Sequence, residues 1–305
     1  MNLNVNRKYF LTMLFMIFFA LLMYLIYLLQ VHSNKNQTEH TAAILFNQIA
    51  RNIDRNQRDE ALLLNSLQED YMVRAKAVAY ILDNSPQIMD DVAELNKIAK
   101  LTKVDEIHIF DESGTIRSGN LPKYYGYSMD SGEQMAYFKP MLLDKTLSMC
   151  QDMVLNTAES KPMMYAICWN KIGTCMIQVG IEPKRLLHEL KANDIQNTIH
   201  SLALHDGVTV LAADNTSGKI RGATLAELVG KNFEDVGIAA RAEKSEQTGL
   251  LEGWINGQRS YYTVHSYGMY LIAIIQEKKI LSTAAFLLFW ALSAHTFFWL
   301  HSYRF

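Results

Sequence analysis

Residues 104–118 read VDEIHIFDESGTIRS, and they mark the point where the chain changes period. Before them apolar residues recur every three or four positions. From Ile107 and Ile109 onward they alternate, which is the pattern of a half-buried strand. Asp111-Glu112-Ser113-Gly114 supplies turn chemistry, and Thr115-Ile116-Arg117-Ser118 resumes the alternation, so the segment predicts a hairpin. Helical sequence followed by a run of antiparallel strands places the chain in the α+β class.

Upstream of the hairpin, the apolar positions Ala42, Phe46, Ile49 and Ile53 are followed by Leu64, Leu67, Tyr71, Ala75, Val78 and Leu82. Steps of three and four put these on one stripe of a long helix over residues 36–86. The stripe weakens across the polar stretch Asp54 to Glu60, and Pro86 closes the helix after Asn84-Ser85. About 45 residues at roughly 1.5 Å each make a rod of about 70 Å. Such a rod can pack on its own domain at one end and on a twin at the other. A shorter helix, Asp91 to Thr102, carries Val92, Leu95, Ile98, Ala99 and Thr102 on one side.

Downstream, Gly119 to Gly132 reads as loop and Gln134 to Asp144 as a short helix interrupted by Pro140. Three strands follow, at Leu147–Met153, Met163–Trp169 and Thr174–Ile181, the last two joined by the loop Asn170 to Gly173. In that register Trp169 faces Thr174 and Cys168 faces Cys175. Opposed Cα atoms lie about 4.5 or 5.5 Å apart, within the disulfide range of about 4.4–6.8 Å, so Cys168 and Cys175 are expected within bridging distance; a disulfide between them is possible, the register leaves open whether they are bonded, and Cys150 is left free. Pro183 to Asp194 is helical and bridges two domains. The plan then repeats: Ile199–Leu204, the turn Asp206-Gly207 and Val208–Ala213 as a hairpin, a loop with short helices over Ile220–Ala242, and strands at Gly249–Trp254, Arg259–Ser266 and Met269–Gln276. The two modules share topology with little identity.

Uncharged apolar runs flank this middle segment, Tyr9–Val31 and Ile280–Tyr303. Each exceeds the roughly 20 residues a helix needs to cross a bilayer. The first is too long for a cleaved signal, and Val31-His32-Ser33 is a poor cleavage site. Arg7 and Lys8 precede it and Lys35 alone follows closely, which predicts a cytoplasmic N-terminus (residues 1–8) and an extracytoplasmic segment 32–279 in a two-pass membrane protein. Lys278 and Lys279 before the second run argue the other way, but the first helix usually dominates. The near-even balance of 29 basic and 31 acidic residues, with no basic cluster, excludes a nucleic-acid face. Three cysteines are too few for a disulfide scaffold, and the nine histidines show no metal spacing. With no nucleophile elbow, P-loop or dinucleotide fingerprint, no catalytic, cofactor or metal residues are assigned.

Tyr71–Pro86, Val104–Ser118 with its Asp111-x-x-Gly114 turn, Met135–Met141 and the segment Met176-Ile177-Gln178-Val179-Gly180-Ile181-Glu182 together resemble the double Cache family of extracytoplasmic sensor domains, over about residues 36–278. The resemblance implies two PAS-like antiparallel-sheet modules on one long N-terminal helix, here flanked by two transmembrane helices (9–31 and 280–303). The membrane-distal module is residues 87–187 and the membrane-proximal one 188–278. It implies a homodimeric receptor whose small-molecule ligand sits in the distal module, with an output module (histidine kinase, diguanylate cyclase or phosphatase) outside this chain. Family members that bind amino acids carry an Arg-x-Trp-Tyr segment, matched here by Met135-Ala136-Tyr137-Phe138, and an acidic residue matched by Glu182. The arginine fork is absent, and Lys139 offers only a point charge. The candidate ligand residues are Tyr125, Tyr137, Phe138, Lys139, Asp152, Tyr165 and Glu182. The rival expectation is a membrane-anchored interaction protein that docks a partner subunit or envelope component without sensing a small molecule.

Overall fold

The computed structural model describes residues 3–238 and 249–278. The expected second apolar run, Ile280–Tyr303, lies outside the described residues, as does the end of the loop expected up to Ala242. The chain divides into two compact units, one of Asp54–Asn193 and one of Met1–Ile53 with Asp194–Phe305. Helix α1, Leu3–Asn84, contributes to both. Among the described residues it alone is long and apolar enough to cross a membrane, and its apolar stretch from Met13 is unburied.

The unit Asp54–Asn193 is the first module. Asp91 caps helix α2, Val92–Thr102, by accepting from the Ala93 and Glu94 amides at 2.9 and 3.1 Å. Its sheet is antiparallel, built from β1 (Glu106–Phe110), β2 (Ile116–Gly119), β3 (Ser148–Cys150), β4 (Val154–Leu155), β5 (Pro162–Trp169) and β6 (Met176–Ile181). The order is β2-β1-β6-β5-β3, with β4 also on β5. Alternation sends Ile107, Ile109, Ala166, Ile177 and Val179 to one face, where they meet Tyr71, Ala75, Val78 and Leu82 of α1 and Leu95, Ile98 and Ala99 of α2. Each large apolar side chain buried there contributes about 1.5–3 kcal/mol. The opposite face is covered by the connection between β2 and β5, which contributes Tyr124, Met129, Met135, Phe138 and Met141. Pro140, lacking an N–H, divides the expected helix Gln134–Asp144 into α3, Glu133–Ala136, and a 3₁₀ turn Lys139–Leu142.

The second unit repeats this plan. Strands β7 (Val208–Asp214), β8 (Ile220–Ala223), β9 (Leu251–Ile255), β10 (Gln258–Tyr267) and β11 (Tyr270–Glu277) are ordered β8-β7-β11-β10-β9. The first helix turns of the linker, α4 (Lys184–Ala192), end the first unit. Ala42, Leu45, Ile49 and Ile53 of α1 pack with Val210, Ala212, Ile272 and Ile274 on one face of the second sheet. The aspartate turn recurs as well. Asp111 Oδ1 accepts from the Ser113 and Thr115 amides, and Asp214 Oδ1 from those of Thr216 and Ser217.

Three expectations are corrected. Ile199–Leu204 is not a strand: helix α5, Ile195–His200, occupies this region, because Ile195, Ile199 and Leu202 bury at steps of four and three. The hairpin partner of β7 is instead β8, drawn from the segment expected to be loop. The expected strand Leu147–Met153 shrinks to β3. In the β5–β6 hairpin Trp169 faces Met176 and Cys168 faces Ile177, two residues from the expected register. The cause is Asn170, whose amide donates to the Cys175 carbonyl and whose side chain accepts from the Thr174 and Cys175 amides. The turn is thereby Lys171–Thr174. All three cysteines are free.

Candidate functional site

The two central strands of the first sheet, β1 and β6, carry polar residues on the face away from the helices. Glu106 and His108 are two apart on β1, so they share that face, and His108 pairs directly with Gln178 on β6. Their exposures are 4%, 3% and 1%. Glu106 Oε2 accepts from the Tyr165 hydroxyl at 2.9 Å and lies 3.1 Å from His108 Nε2. A carboxylate only accepts, so His108 Nε2 is the donor in this contact. Nδ1 is buried without a partner, and so is Gln178 Nε2. Burial first, and then the Glu106 carboxylate, push the Tyr165 hydroxyl well above the usual phenol range, which keeps it a donor.

Gly180 makes this cluster possible. It pairs with Glu106 on one side and Tyr165 on the other. A Cβ there would lie 2.6 Å from Tyr165 Cε1 and 2.9 Å from Glu106 Oε2. The cluster lines a cavity of about 20 Å³, together with Tyr124, Tyr127, Met135, Asn156, Thr157 and Ala158. That volume admits about one water.

The second module supplies an internal comparison. Ile107 receives the Asn120 amide and donates to its side chain, and Val210 does the same with Thr224. This equates β1 with β7 residue by residue. The bulges between Ile109 and Phe110 and between Ala212 and Ala213 agree. In the second module Thr209, Leu211, Ala273 and Ile275 therefore stand where Glu106, His108, Gln178 and Gly180 stand in the first. Tyr262 matches Tyr165. The same scaffold closes with apolar side chains in the second module, so the buried polar group is not a requirement of the fold.

Of the seven residues expected from sequence, Tyr165 lines the cavity. Tyr125 donates to the Gly119 carbonyl, and Tyr137, largely exposed, donates to that of Cys150. Phe138 is buried in the apolar core. Lys139 pairs with Asp130, Asp152 accepts from Gln68 of α1, and Glu182 pairs with Lys161. The structure does not bring these six to the cavity. Cys150, Cys168 and Cys175 belong to the helix-facing side. Among the described residues no group of three or more His, Cys, Asp or Glu is placed to hold a metal ion.

No protein-family model matches the chain, and no characterised protein matches it by sequence. Solved structures do. An extracellular ligand binding receptor from Desulfohalobium retbaense is 15% identical with a TM-score of 0.31, over 71% of this chain and 39% of that one, so this chain spans well under half its length. The sensory domain of the Campylobacter jejuni chemoreceptor Tlp3 with isoleucine bound is 13% identical, TM-score 0.39, over 80% of this chain and 96% of that one. The sensor domain of the Vibrio cholerae histidine kinase DctB is 11% identical, TM-score 0.33, over 80% and 100%. These last two are sensory domains, one of a chemoreceptor and one of a histidine kinase.

Proposed function

We propose that the chain is the ligand-sensing part of a transmembrane receptor, with the first module as the binding module. One observation carries this reading. His108 and Gln178 are buried with unpartnered polar atoms beside Glu106, at positions the second module fills with Leu211 and Ala273. Buried polar groups are completed by protein, water or ligand, and a few polar groups converging on an otherwise apolar pocket are what fixes a small-molecule guest. Of the seven residues expected from sequence, Tyr165 remains in the proposed site.

The apolar stretch of α1 serves as the first membrane helix, with residues 32–279 extracytoplasmic and Ile280–Tyr303 as the return crossing. A twin chain covers the exposed apolar face of α1. Leu62, Val73 and Tyr80 are 68%, 65% and 72% exposed, and steps of 11 and 7 place them within about 20° of one line at 3.6 residues per turn. Ligand binding biases two packings of the sheet on α1, and the shift passes to an output module outside this chain. Moving such a balance from 1:99 to 99:1 requires about 5.5 kcal/mol of differential affinity.

Thermal unfolding of the full chain in lipid nanodiscs, screened against a metabolite library, tests the reading. Stabilising hits that Tyr165→Phe and Gln178→Ala both weaken support it. A screen without hits, or hits indifferent to both variants, refutes it and favours the docking protein.

A further inference from the structure

We propose that the second module holds a binding site of its own, in the cleft between α1 and β10, for a small neutral hydroxylated aromatic compound of the phenol class. The cleft encloses about 340 Å³, within the range of about 300–1,000 Å³ typical of small-molecule pockets. β10 brings its polar groups. Thr263 and His265 pair with Ile274 and Ile272, and so share the face of the sheet that packs on α1. Because Tyr262 matches Tyr165, Thr263 and His265 stand where Ala166 and Cys168 stand in the first module. There those two belong to the apolar packing against α1. The same interface is thus closed by apolar side chains in one module and carries two polar ones in the other.

The chemistry of the cleft defines the guest. His265 is 7% exposed, and its Nδ1 has no partner. Its Nε2 lies 3.2 Å from the Thr263 hydroxyl. The ring stacks on Phe46 of α1, with centroids 4.4 Å apart and planes 22° from parallel. Both rings line the cleft beside Ala42, Ala43 and Leu250. Rings prefer further rings in offset or edge contact, and the two alanines leave room for one. A hydroxyl both donates and accepts, so it can partner His265 and Thr263 whichever of the two donates in their own contact. Charge of either sign is not selected. The lining residues include no lysine or arginine to hold an anion. Glu39, the one carboxylate among them, is exposed, and its pull on a cation is screened by salt. Burial lowers the pKa of His265, so the imidazole is neutral at neutral pH, and a charged guest beside it would lose its hydration without compensation.

Four benzene derivatives of similar size decide the matter: phenol, toluene, benzoate and benzylammonium. They are added at equal ionic strength to the full chain in nanodiscs, and the melting temperature is followed. Phenol should raise it saturably, and at lower concentration than the other three. His265→Phe keeps a ring on Phe46 but removes the ring nitrogens, so it should weaken phenol about two- to tenfold in apparent affinity, the range of one neutral hydrogen bond, and leave toluene unchanged. Ala43→Phe, at an exposed position of α1, fills the cleft and should abolish the phenol response. Toluene acting as strongly as phenol overturns the hydroxyl assignment, and benzoate or benzylammonium doing so overturns neutrality. A phenol response that survives both variants arises elsewhere on the chain or in the lipid and overturns the site, as does the absence of any response to phenol. If one variant itself melts early, the ranking of the four probes on the unaltered chain and the other variant still decide. The sensing reading of the first module is judged separately, by Tyr165→Phe and Gln178→Ala on the other sheet.

Discussion

Gln178→Leu should stabilise the first module while removing its ligand response. The Gln178 side chain is 1% exposed, and its Nε2 has no partner. An unsatisfied buried donor costs about 1–3 kcal/mol, and an apolar group of the same shape removes that cost. Leucine has nearly the same volume but branches differently, and the misfit in a packed site costs up to about 1.5 kcal/mol. The net expectation is a gain of about 1 kcal/mol. For a unit of roughly 140 residues, Asp54–Asn193, this raises the melting temperature by about 2–4 °C. Circular dichroism melts of the full chain in nanodiscs, with a urea titration as a second measure, check the value. A loss of more than about 1 kcal/mol would refute the reasoning, since it would mean that the amide is bonded and holds β1 to β6. Gain of stability with loss of response is the trade expected at a binding site.

Three further outcomes follow from the geometry. Gly180→Ala should destabilise the first module by about 1–3 kcal/mol through overpacking, because its Cβ would press on Tyr165 and Glu106; an unchanged melt would show that β5 and β1 yield freely. Burial, and then Asp152, push the Cys150 thiol up to about 12, and burial pushes Cys168 up to about 11. Because the thiolate is the reactive form, a disulfide reagent at neutral pH should modify these two slowly in the native chain and quickly after unfolding. A rapid reaction of either in the native state would contradict this. In the second module, burial lowers the pKa of His265 from 6.5, its ring stacked on Phe46 with centroids 4.4 Å apart. The unfolded chain then binds the proton more strongly, so stability should fall as pH drops below about 6.5. His265→Phe should flatten that slope between pH 7 and 5, and an unaltered slope would assign it elsewhere.

What the sequence by itself determined is local. The stripe from Ala42 to Leu82 announced α1, because a helix repeats its face within four residues. The alternation at Ile107 and Ile109 and the Asp111 turn announced the β1–β2 hairpin for the same reason. The repeat of two modules was legible from the order of such segments. Its details were less so: the short apolar run from Ile195 to Leu202 supports either period, and only its packing on Val210 and Ile274 selects the helix. The Cys168 register failed by two residues because the Asn170 side chain, not loop length alone, sets the turn.

The site was the least legible part. Glu106 and His108 alternate with Ile107 and Ile109, and polar residues in such an alternation usually face water. Only the sheet order, which places β6 beside β1 and both inside the sheet, shows that this face is covered and that Gln178 meets His108. Strand order is set by long-range pairing and burial, which no local window of sequence contains. Tertiary structure therefore decided which polar residues are buried together, and with that where the chain can hold a ligand.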